Sequence, residues 1–240
     1  LRKLIAVSDV LVQNFRPGTI EKMGFGYDEL RKHRPDIIYV QSSGFGKLGP
    51  YRDFRSYGPV AAGFSGLQYM SGLPDRYPCG YQFSYLDVAT PWFICMAIMS
   101  ALHFRSRTGQ GQHIDLSQVG PGFLMTGTAI LDYSANGRPY QRTGNRAPYT
   151  EAAPHGAYRC KGSDRWVAIA ISNDREWDGF CNVLGNPPWT RDPIFSTQTR
   201  RFQHPEELDR HVEEWTRDRN RYEIMEILQG VGVPAGVCQD

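Results

Sequence analysis

Two short apolar strands, each preceded by a helix, constrain the fold of this chain more than any other sequence feature. Residues 1–8 have the apolar spacing of a helix end and lead into the apolar run 10–12. A second predicted helix, 28–33, leads in the same way into the apolar run 37–40. Apolar strands that alternate with helices are typical of a parallel sheet covered by helices. We therefore predict an α/β fold with a doubly wound parallel sheet, whose functional loops follow the two strands.

The second part of the chain has a different pattern. Residues 136–154 are rich in Gly, Pro, Arg and Asn without periodicity, which is typical of a linker. Paired strands and charged amphipathic helices are predicted beyond it. We expect a large domain over 1–135, a connecting segment over 136–154 and a small α+β domain over 155–240, whose residues 232–237 form a loop.

Composition excludes several classes of protein. Lys and Arg total 27 against 25 Asp and Glu, so no broad positive field for nucleic acid is expected. No uninterrupted apolar run approaches the roughly 20 residues of a membrane span, and we predict that 87–105 forms a long buried helix of a soluble protein. The five cysteines are scattered and form no metal-ligand pattern, so we expect reduced thiols, a cytoplasmic location and no metal.

Asp87 is the candidate with the clearest chemistry, because it stands directly before the apolar helix. An Asp at a helix start most often caps the helix N-terminus. The positive end of a helix dipole beside an apolar wall can also hold a carboxylate ionised yet poorly hydrated, as a nucleophile requires. The two roles are compatible, and both remain open at this point.

The loops after the two strands are candidate binding segments. Residues 14–18 form a turn that either presents backbone to a ligand or leads into a helix, and Lys22 faces either a phosphate or water. The Gly-rich loop 42–51 has neither GxGxxG nor GxxxxGK[ST] spacing. A dinucleotide fingerprint and a P-loop are therefore not indicated.

Taken in order, five segments resemble the class III CoA-transferase family of the CaiB/BaiF type, which includes formyl-CoA transferase and the α-methylacyl-CoA racemases. The segments are SDVLVQNFRPG at 8–18, MGFGY at 23–27, SGFG with GPY within 43–51, LD at 86–87 and RTGQGQ at 107–112. The resemblance implies a large Rossmann-like domain, a small α+β domain and an interlocked homodimer. It also implies that this chain is a fragment truncated at both ends.

The same resemblance implies a reaction. A class III CoA transferase moves CoA from an acyl-CoA donor to a carboxylic acid acceptor through covalent intermediates on an aspartate. The expected partners are thus acyl-CoA, a small carboxylic acid and a second copy of the chain, without nucleic acid or membrane. CoA is the expected cofactor-like substrate, with no nicotinamide or flavin.

Individual site residues follow by position in the family pattern. Asp87 matches the catalytic aspartate, and residues 149–156, which read YTEAAPHG, match the glycine-rich flap of formyl-CoA transferases, so that 136–154 would hold both linker and flap. The residues that match CoA-contacting positions are Asn14, Phe15 and Arg16 in the turn, Lys22 near the nucleotide phosphates, and Phe54, Arg55, Ser56 and Tyr57 along the CoA channel.

Three alternatives stay open. The racemase branch uses a His and an Asp to move a proton, but Tyr57 occupies the His position, and a phenol is a poor general base at neutral pH. Gly58 replaces an acidic residue common at the next position. A non-catalytic acyl-CoA binding subunit would use Asp87 only as a cap, and a nicotinamide-dependent oxidoreductase would need the missing fingerprint.

The acids that exchange CoA are not indicated by the sequence. Four aromatic residues precede the nucleophile and either line a pocket or pack in the core: Tyr77, Tyr81, Phe83 and Tyr85.

Overall fold

The computed structural model describes residues 1–80 and 83–240. The chain forms two compact units, the first over Leu1–Arg142 and the second over Thr143–Asp240. This division falls inside the segment 136–154.

The first unit contains a three-stranded sheet and its helices. The strands are β1 (Val10–Gln13), β2 (Ile38–Ser43) and β3 (His113–Ser117). The helices are α1 (Arg2–Ala6), α2 (Thr19–Lys22), α3 (Tyr27–His33), α4 (Gly58–Phe64), α5 (Tyr85–Thr108), α6 (Val119–Met125) and α7 (Gly127–Asn136).

All three strands of this sheet are parallel, with β2 in the middle. Val10 pairs with Ile38, and Tyr39 pairs with His113. The prediction of an α/β fold with a parallel sheet is confirmed. Because the strands run in one direction, their carboxyl ends meet at the same edge, where functional loops of such sheets lie.

The two faces of the sheet have separate cores. On one face, Tyr39 of β2 packs in a cluster with Ile5 of α1 and Leu30 of α3. On the other face, Val40 of β2 packs with Ala101 of α5. Alternation along β2 therefore sends successive side chains to opposite faces, and both are covered by helices.

The prediction that 87–105 is a buried helix is wrong for most of α5. Trp92 is 71% exposed, and Met96 and Met99 are also exposed. A helix that is apolar all round needs partners on every side, and α5 is packed mainly through its sheet-facing residues. Among the described residues, α5 is the one helix long and apolar enough to cross a membrane by length and composition.

The second unit is an antiparallel sheet with helices, in the order β4-β5-β6. Its strands are β4 (His155–Arg159), β5 (Trp166–Ala170) and β6 (Ala235–Val237). Its α-helices are α8 (Asp174–Leu184), α9 (Gln198–Gln203), α10 (Pro205–Thr216) and α11 (Arg221–Gly230).

Strand β6 corrects the prediction of a loop over 232–237. Val167 of β5 pairs with Val237, and Ile169 pairs with Ala235. Three residues are too few to show the alternation that identifies a strand in sequence. Backbone pairing with β5 decides the conformation here.

Buried polar contacts also stabilise the second unit. The Tyr158 hydroxyl donates a hydrogen bond to Asp209 Oδ1 at 2.7 Å. Burial, and then the nearby Asp209 charge, raise the pKa of Tyr158 above its ordinary value. Tyr158 therefore remains a neutral hydrogen-bond donor that links β4 to α10.

Candidate active site

The carboxyl edge of the parallel sheet joins the loops that follow β2 and β3. The Gln118 backbone N–H donates to the Ser43 carbonyl at 2.9 Å, and the Val119 N–H donates to the Gly44 carbonyl at 3.1 Å. These two bonds continue the pairing of β2 with β3 beyond the strands themselves. The start of the Gly-rich loop is thus held against the start of α6.

The turn after β1 is fixed by a buried side chain. Gln13 Oε1 accepts a hydrogen bond from the Phe15 N–H at 2.7 Å, and Gln13 Nε2 donates to the Tyr39 hydroxyl at 3.0 Å. Burial raises the pKa of Tyr39 to about 12, so its hydroxyl stays neutral. This chain of contacts positions Asn14 and Arg16 on a support of two buried residues.

A cavity of about 420 Å³ lies between the turn after β1 and the loop before α4. The predicted CoA-contacting residues that line it are Asn14, Arg16, Phe54, Arg55, Ser56 and Tyr57. Lys22 and Phe15 are not among its lining residues, and both side chains are exposed. The structure therefore brings six of the eight predicted residues together.

The cavity is electrostatically suited to an anion. Arg16, Arg52 and Arg55 all line it, and Arg52 was missed by sequence reasoning because a single Arg in a loop carries no pattern. Arg16 Nη2 also donates to the Asp53 carbonyl at 3.1 Å, which ties the two walls of the cavity. Guanidinium groups bind phosphates through charge-assisted hydrogen bonds.

A close backbone approach shapes the same cavity. A methyl group built on Gly44 would lie 1.5 Å from Ser56 Oγ. Only glycine therefore allows the loop before α4 to pack against the end of β2.

Asp87 is the third residue of α5, and the residue at the N-cap position is Ser84. Asp87 therefore does not occupy the N-cap position, and of its two possible roles the structure does not support the cap. Its position in the first turn still exposes the carboxylate to the positive end of the helix dipole. Pro91 has no N–H, so the bond that would tie the Asp87 carbonyl to the next turn cannot form.

The two oxygens of Asp87 have different surroundings. Oδ1 accepts a hydrogen bond from Gln118 Nε2 at 2.5 Å. Oδ2 faces Gly58, where an added methyl group would lie 2.8 Å from it. Gly58 therefore packs closely against this carboxylate. Tyr57 lines the cavity, and the next residue, Gly58, lies against the Asp87 carboxylate. The carboxylate is therefore close to one end of the cavity.

The surroundings of Asp87 differ from expectation in one respect. A nucleophile shielded by an apolar wall was predicted, but the Asp87 side chain is exposed in the single chain. Phe83 and Tyr85 line a small recess of about 30 Å³ together with Gly58. Tyr77 is 94% exposed, and Tyr81 lies outside the described residues.

Residues 149–156, which match the flap by position, are anchored in the second unit. The Ala153 N–H donates to the Ile171 carbonyl, and the Ile171 N–H donates to the Pro154 carbonyl, both at 2.9 Å. Gln198 Nε2 donates to the Glu151 carbonyl at 2.6 Å. Five of these six contacting groups belong to the backbone, so the middle of the segment is held by the fold of the unit.

No group of three or more His, Cys, Asp or Glu side chains placed to hold a metal ion occurs in the part of the chain that the structure describes. The groups at this edge of the sheet include the Asp87 carboxylate, the Gln118 amide and the three guanidinium groups of the cavity.

Comparison with known proteins gives the same family along the whole chain. The family model described as CoA-transferase family III matches residues 1–240. The succinyl-CoA–D-citramalate CoA-transferase of Chloroflexus aurantiacus is 32% identical over 236 residues, covering 98% of this chain and 58% of that relative. The acetyl-CoA:oxalate CoA-transferase of Acetobacter aceti is 33% identical, covering 99% of this chain and 60% of that relative.

A solved structure has the same fold. A CaiB/BaiF family protein from Brucella suis superposes with a TM-score of 0.90 at 32% identity, over 100% of this chain and 62% of that chain. The present chain thus spans about three-fifths of the length of the curated relatives that it matches.

Proposed function

The chain belongs to CoA-transferase family III, and on that premise we propose that the protein containing it moves CoA from an acyl-CoA donor to a carboxylic acid through covalent intermediates on Asp87. The observation that carries this proposal is the placement of the Asp87 carboxylate. It lies at a helix N-terminus, beside Gly58, next to a cavity with three arginines.

The reaction consists of acyl transfers that begin and end at this carboxylate. Asp87 Oδ2 attacks the donor thioester carbon, the C–S bond breaks, and CoA leaves as a thiolate. The thiolate then attacks Asp87 Cγ, and the donor acid leaves with Oδ2 as a carboxylate. An acceptor carboxylate reverses both steps, which yields the new acyl-CoA and regenerates Asp87. A covalent route of this kind divides one difficult transfer into easier ones.

The cavity is proposed to hold the phosphates of CoA. Arg16, Arg52 and Arg55 supply fixed positive charge, while Asn14 and Ser56 add polar groups. Phosphates bound in this cavity would direct the rest of the CoA molecule past Tyr57 and Gly58 toward Asp87. Binding energy from this remote part of the substrate can then position the thioester at the reacting carboxylate.

Transfer is better supported than racemisation. In the described part of the chain no histidine lines the cavity or contacts the Asp87 carboxylate. Tyr57 occupies the position at which a racemase would need a histidine as its base. A non-catalytic binding subunit is also less well supported, because Asp87 does not cap its helix.

A transfer assay tests the proposed function. Full-length protein is incubated with succinyl-CoA, the donor in the name of the Chloroflexus aurantiacus relative. Each incubation contains one short carboxylic acid, and the acids include citramalate, oxalate and glutarate. Formation of a new acyl-CoA by chromatography and mass spectrometry is expected for at least one acid. Turnover of an α-methylacyl-CoA epimer without CoA transfer would instead favour the racemase.

The arginine cavity leads to a binding prediction. Arg16→Gln is expected to weaken CoA binding about tenfold, because it removes one charge-assisted contact with a phosphate. The difference in CoA affinity between Arg16→Gln and the parent should become smaller at high salt, because screening weakens the same contact in the parent protein. Isothermal titration with CoA measures both effects.

Arg2→Gln is the matched control, because Arg2 lies on α1 and does not line the cavity. Equal CoA affinities for the Arg16 variant and the parent would contradict the phosphate assignment.

We also propose that the protein assembles as an interlocked homodimer, as the family resemblance implies. The exposed apolar side chains of α5 and α7 support an assembly, since Trp92, Met96 and Leu131 lack partners that would remove them from water. Light scattering on the full-length protein is expected to give the mass of two chains. A stable monomer would mean that other parts of the same chain cover this surface.

A further inference from the structure

The contact between Gln118 and Asp87 has chemical consequences that go beyond the nucleophile itself. The backbone N–H of Gln118 donates a hydrogen bond to the Ser43 carbonyl, and α6 begins at the next residue. Its side chain is half-buried and reaches Asp87 Oδ1 with its amide N–H at 2.5 Å. A donor on such a support keeps its position when the charge on the acceptor changes.

We propose that Gln118 is a catalytic residue that stabilises negative charge on Asp87 Oδ1 whenever Asp87 Cγ is attacked. This inference rests on the proposed function. In two of the four steps the reacting carbon is Cγ: the CoA thiolate attacks it in the anhydride, and the acceptor carboxylate attacks it in the aspartyl-CoA thioester. In each case the carbonyl π electrons move onto Oδ1, forming a tetrahedral oxyanion, and return when the C–O or C–S bond breaks.

The geometry separates the roles of the two oxygens. Oδ1 is bound by Gln118, whereas no hydrogen bond joins Oδ2 to another side chain in residues 1–80 and 83–240. Oδ2 is thus available to attack the donor and later to leave with it. After it leaves, the remaining thioester carbonyl oxygen is Oδ1, which still faces the Gln118 amide.

Gly58 packs closely against the same carboxylate. A methyl group built on Gly58 would lie 3.0 Å from Asp87 Cγ and 2.8 Å from Oδ2. Gly58 is itself buried, so this contact and the Gln118 hydrogen bond together fix the position of the carboxylate.

This role predicts a specific division of effects between steps. Gln118→Leu removes the donor at similar size, and the steps at Cγ should slow by about 10²-fold, as is typical for the loss of one oxyanion donor. The attack of Oδ2 on the donor thioester should change much less, because its oxyanion forms on the substrate. CoA affinity should be unchanged, because Gln118 does not line the arginine cavity.

Rapid acid quench and mass spectrometry of full-length protein with succinyl-CoA measure these steps on the Asp87 peptide. The parent is expected to proceed to the aspartyl-CoA thioester, whereas Gln118→Leu should accumulate the succinyl anhydride adduct and form the thioester slowly. Gln110→Leu is the control, since Gln110 is an exposed residue whose side chain does not contact Asp87. Thermal melting of each variant checks that folding is retained.

Two results would overturn the inference. Equal slowing of anhydride and thioester formation would reduce Gln118 to a positioning residue, and unchanged rates would remove it from the mechanism. Failure of the proposed function looks different, because the parent protein would then form no covalent adduct on Asp87 with any donor. The inference would fall with it.

Discussion

Asp87→Asn is expected to reduce CoA transfer by about 10³-fold or more, with loss of the covalent CoA adduct. The amide keeps the size and shape of the carboxylate but lacks the anionic oxygen that attacks the thioester. CoA affinity should stay near that of the parent, because Asp87 does not line the arginine cavity. Hydroxylamine trapping and peptide mass spectrometry on the full-length protein measure the adduct, and the transfer assay measures the rate.

Asp75→Asn is the matched control for this variant. Asp75 is largely exposed, and its ion pair with Arg76 spans 3.9 Å, so its substitution should leave transfer and labelling unchanged. Labelling of a different peptide, or transfer by Asp87→Asn at the rate of the parent, would exclude Asp87 as the nucleophile. Weakened CoA binding in the same variant would indicate that the carboxylate acts in binding instead.

Arg201→Ala is expected to destabilise the second unit by about 3 kcal/mol, a large effect for one substitution. Arg201 is completely buried. It donates to the Phe195 carbonyl at 3.0 Å, to Asp174 Oδ1 at 2.7 Å and to Gln198 Oε1 at 2.7 Å, and its guanidinium carbon lies 4.5 Å from the Trp177 ring centre. Removal leaves a cavity and a carbonyl without its donor, and each adds to the loss.

Arg200→Ala is the matched control, because it is the neighbouring residue of the same helix. Its side chain is exposed and donates to the Pro193 carbonyl at 2.9 Å. Its loss should cost less than about 1 kcal/mol. Urea unfolding followed by tryptophan fluorescence is suitable, since four of the five tryptophans belong to the second unit.

A third variant separates volume from hydrogen bonding. Arg201→Met restores much of the apolar volume but no donor, so it should recover part of the stability lost in Arg201→Ala. If Arg201→Ala and Arg200→Ala lowered the free energy of unfolding equally, the buried contacts of Arg201 would not stabilise the unit as described.

Local sequence patterns were sufficient for the elements of the first sheet. The apolar runs that became β1 and β2 are bounded by helices and turns, so their period and composition point to one structure. The five family segments likewise carried the family, because they occur together in the right order and at fixed spacing. Strand β6 was missed because three residues that depend on pairing with β5 show no pattern of their own.

The site was predictable only in part, for a related reason. A turn such as Asn14 to Arg16 is contiguous, so resemblance can identify it and the structure places it at the cavity. Lys22, one turn further on, was matched in the same way but does not line that cavity. The direction of a side chain on a short helix depends on packing, which a segment match does not contain.

The sequence by itself determined the α/β class, the family and the carboxylate at the start of an apolar helix, since all three are local or contiguous signals. Only the tertiary structure decided which groups surround that carboxylate. Gln118 is separated from Asp87 by 31 positions, and they meet because β3 ends at the sheet edge where α5 begins. Gly58 reaches the same point from a third element. Distances between separate elements arise from packing, and no pattern within one segment encodes them.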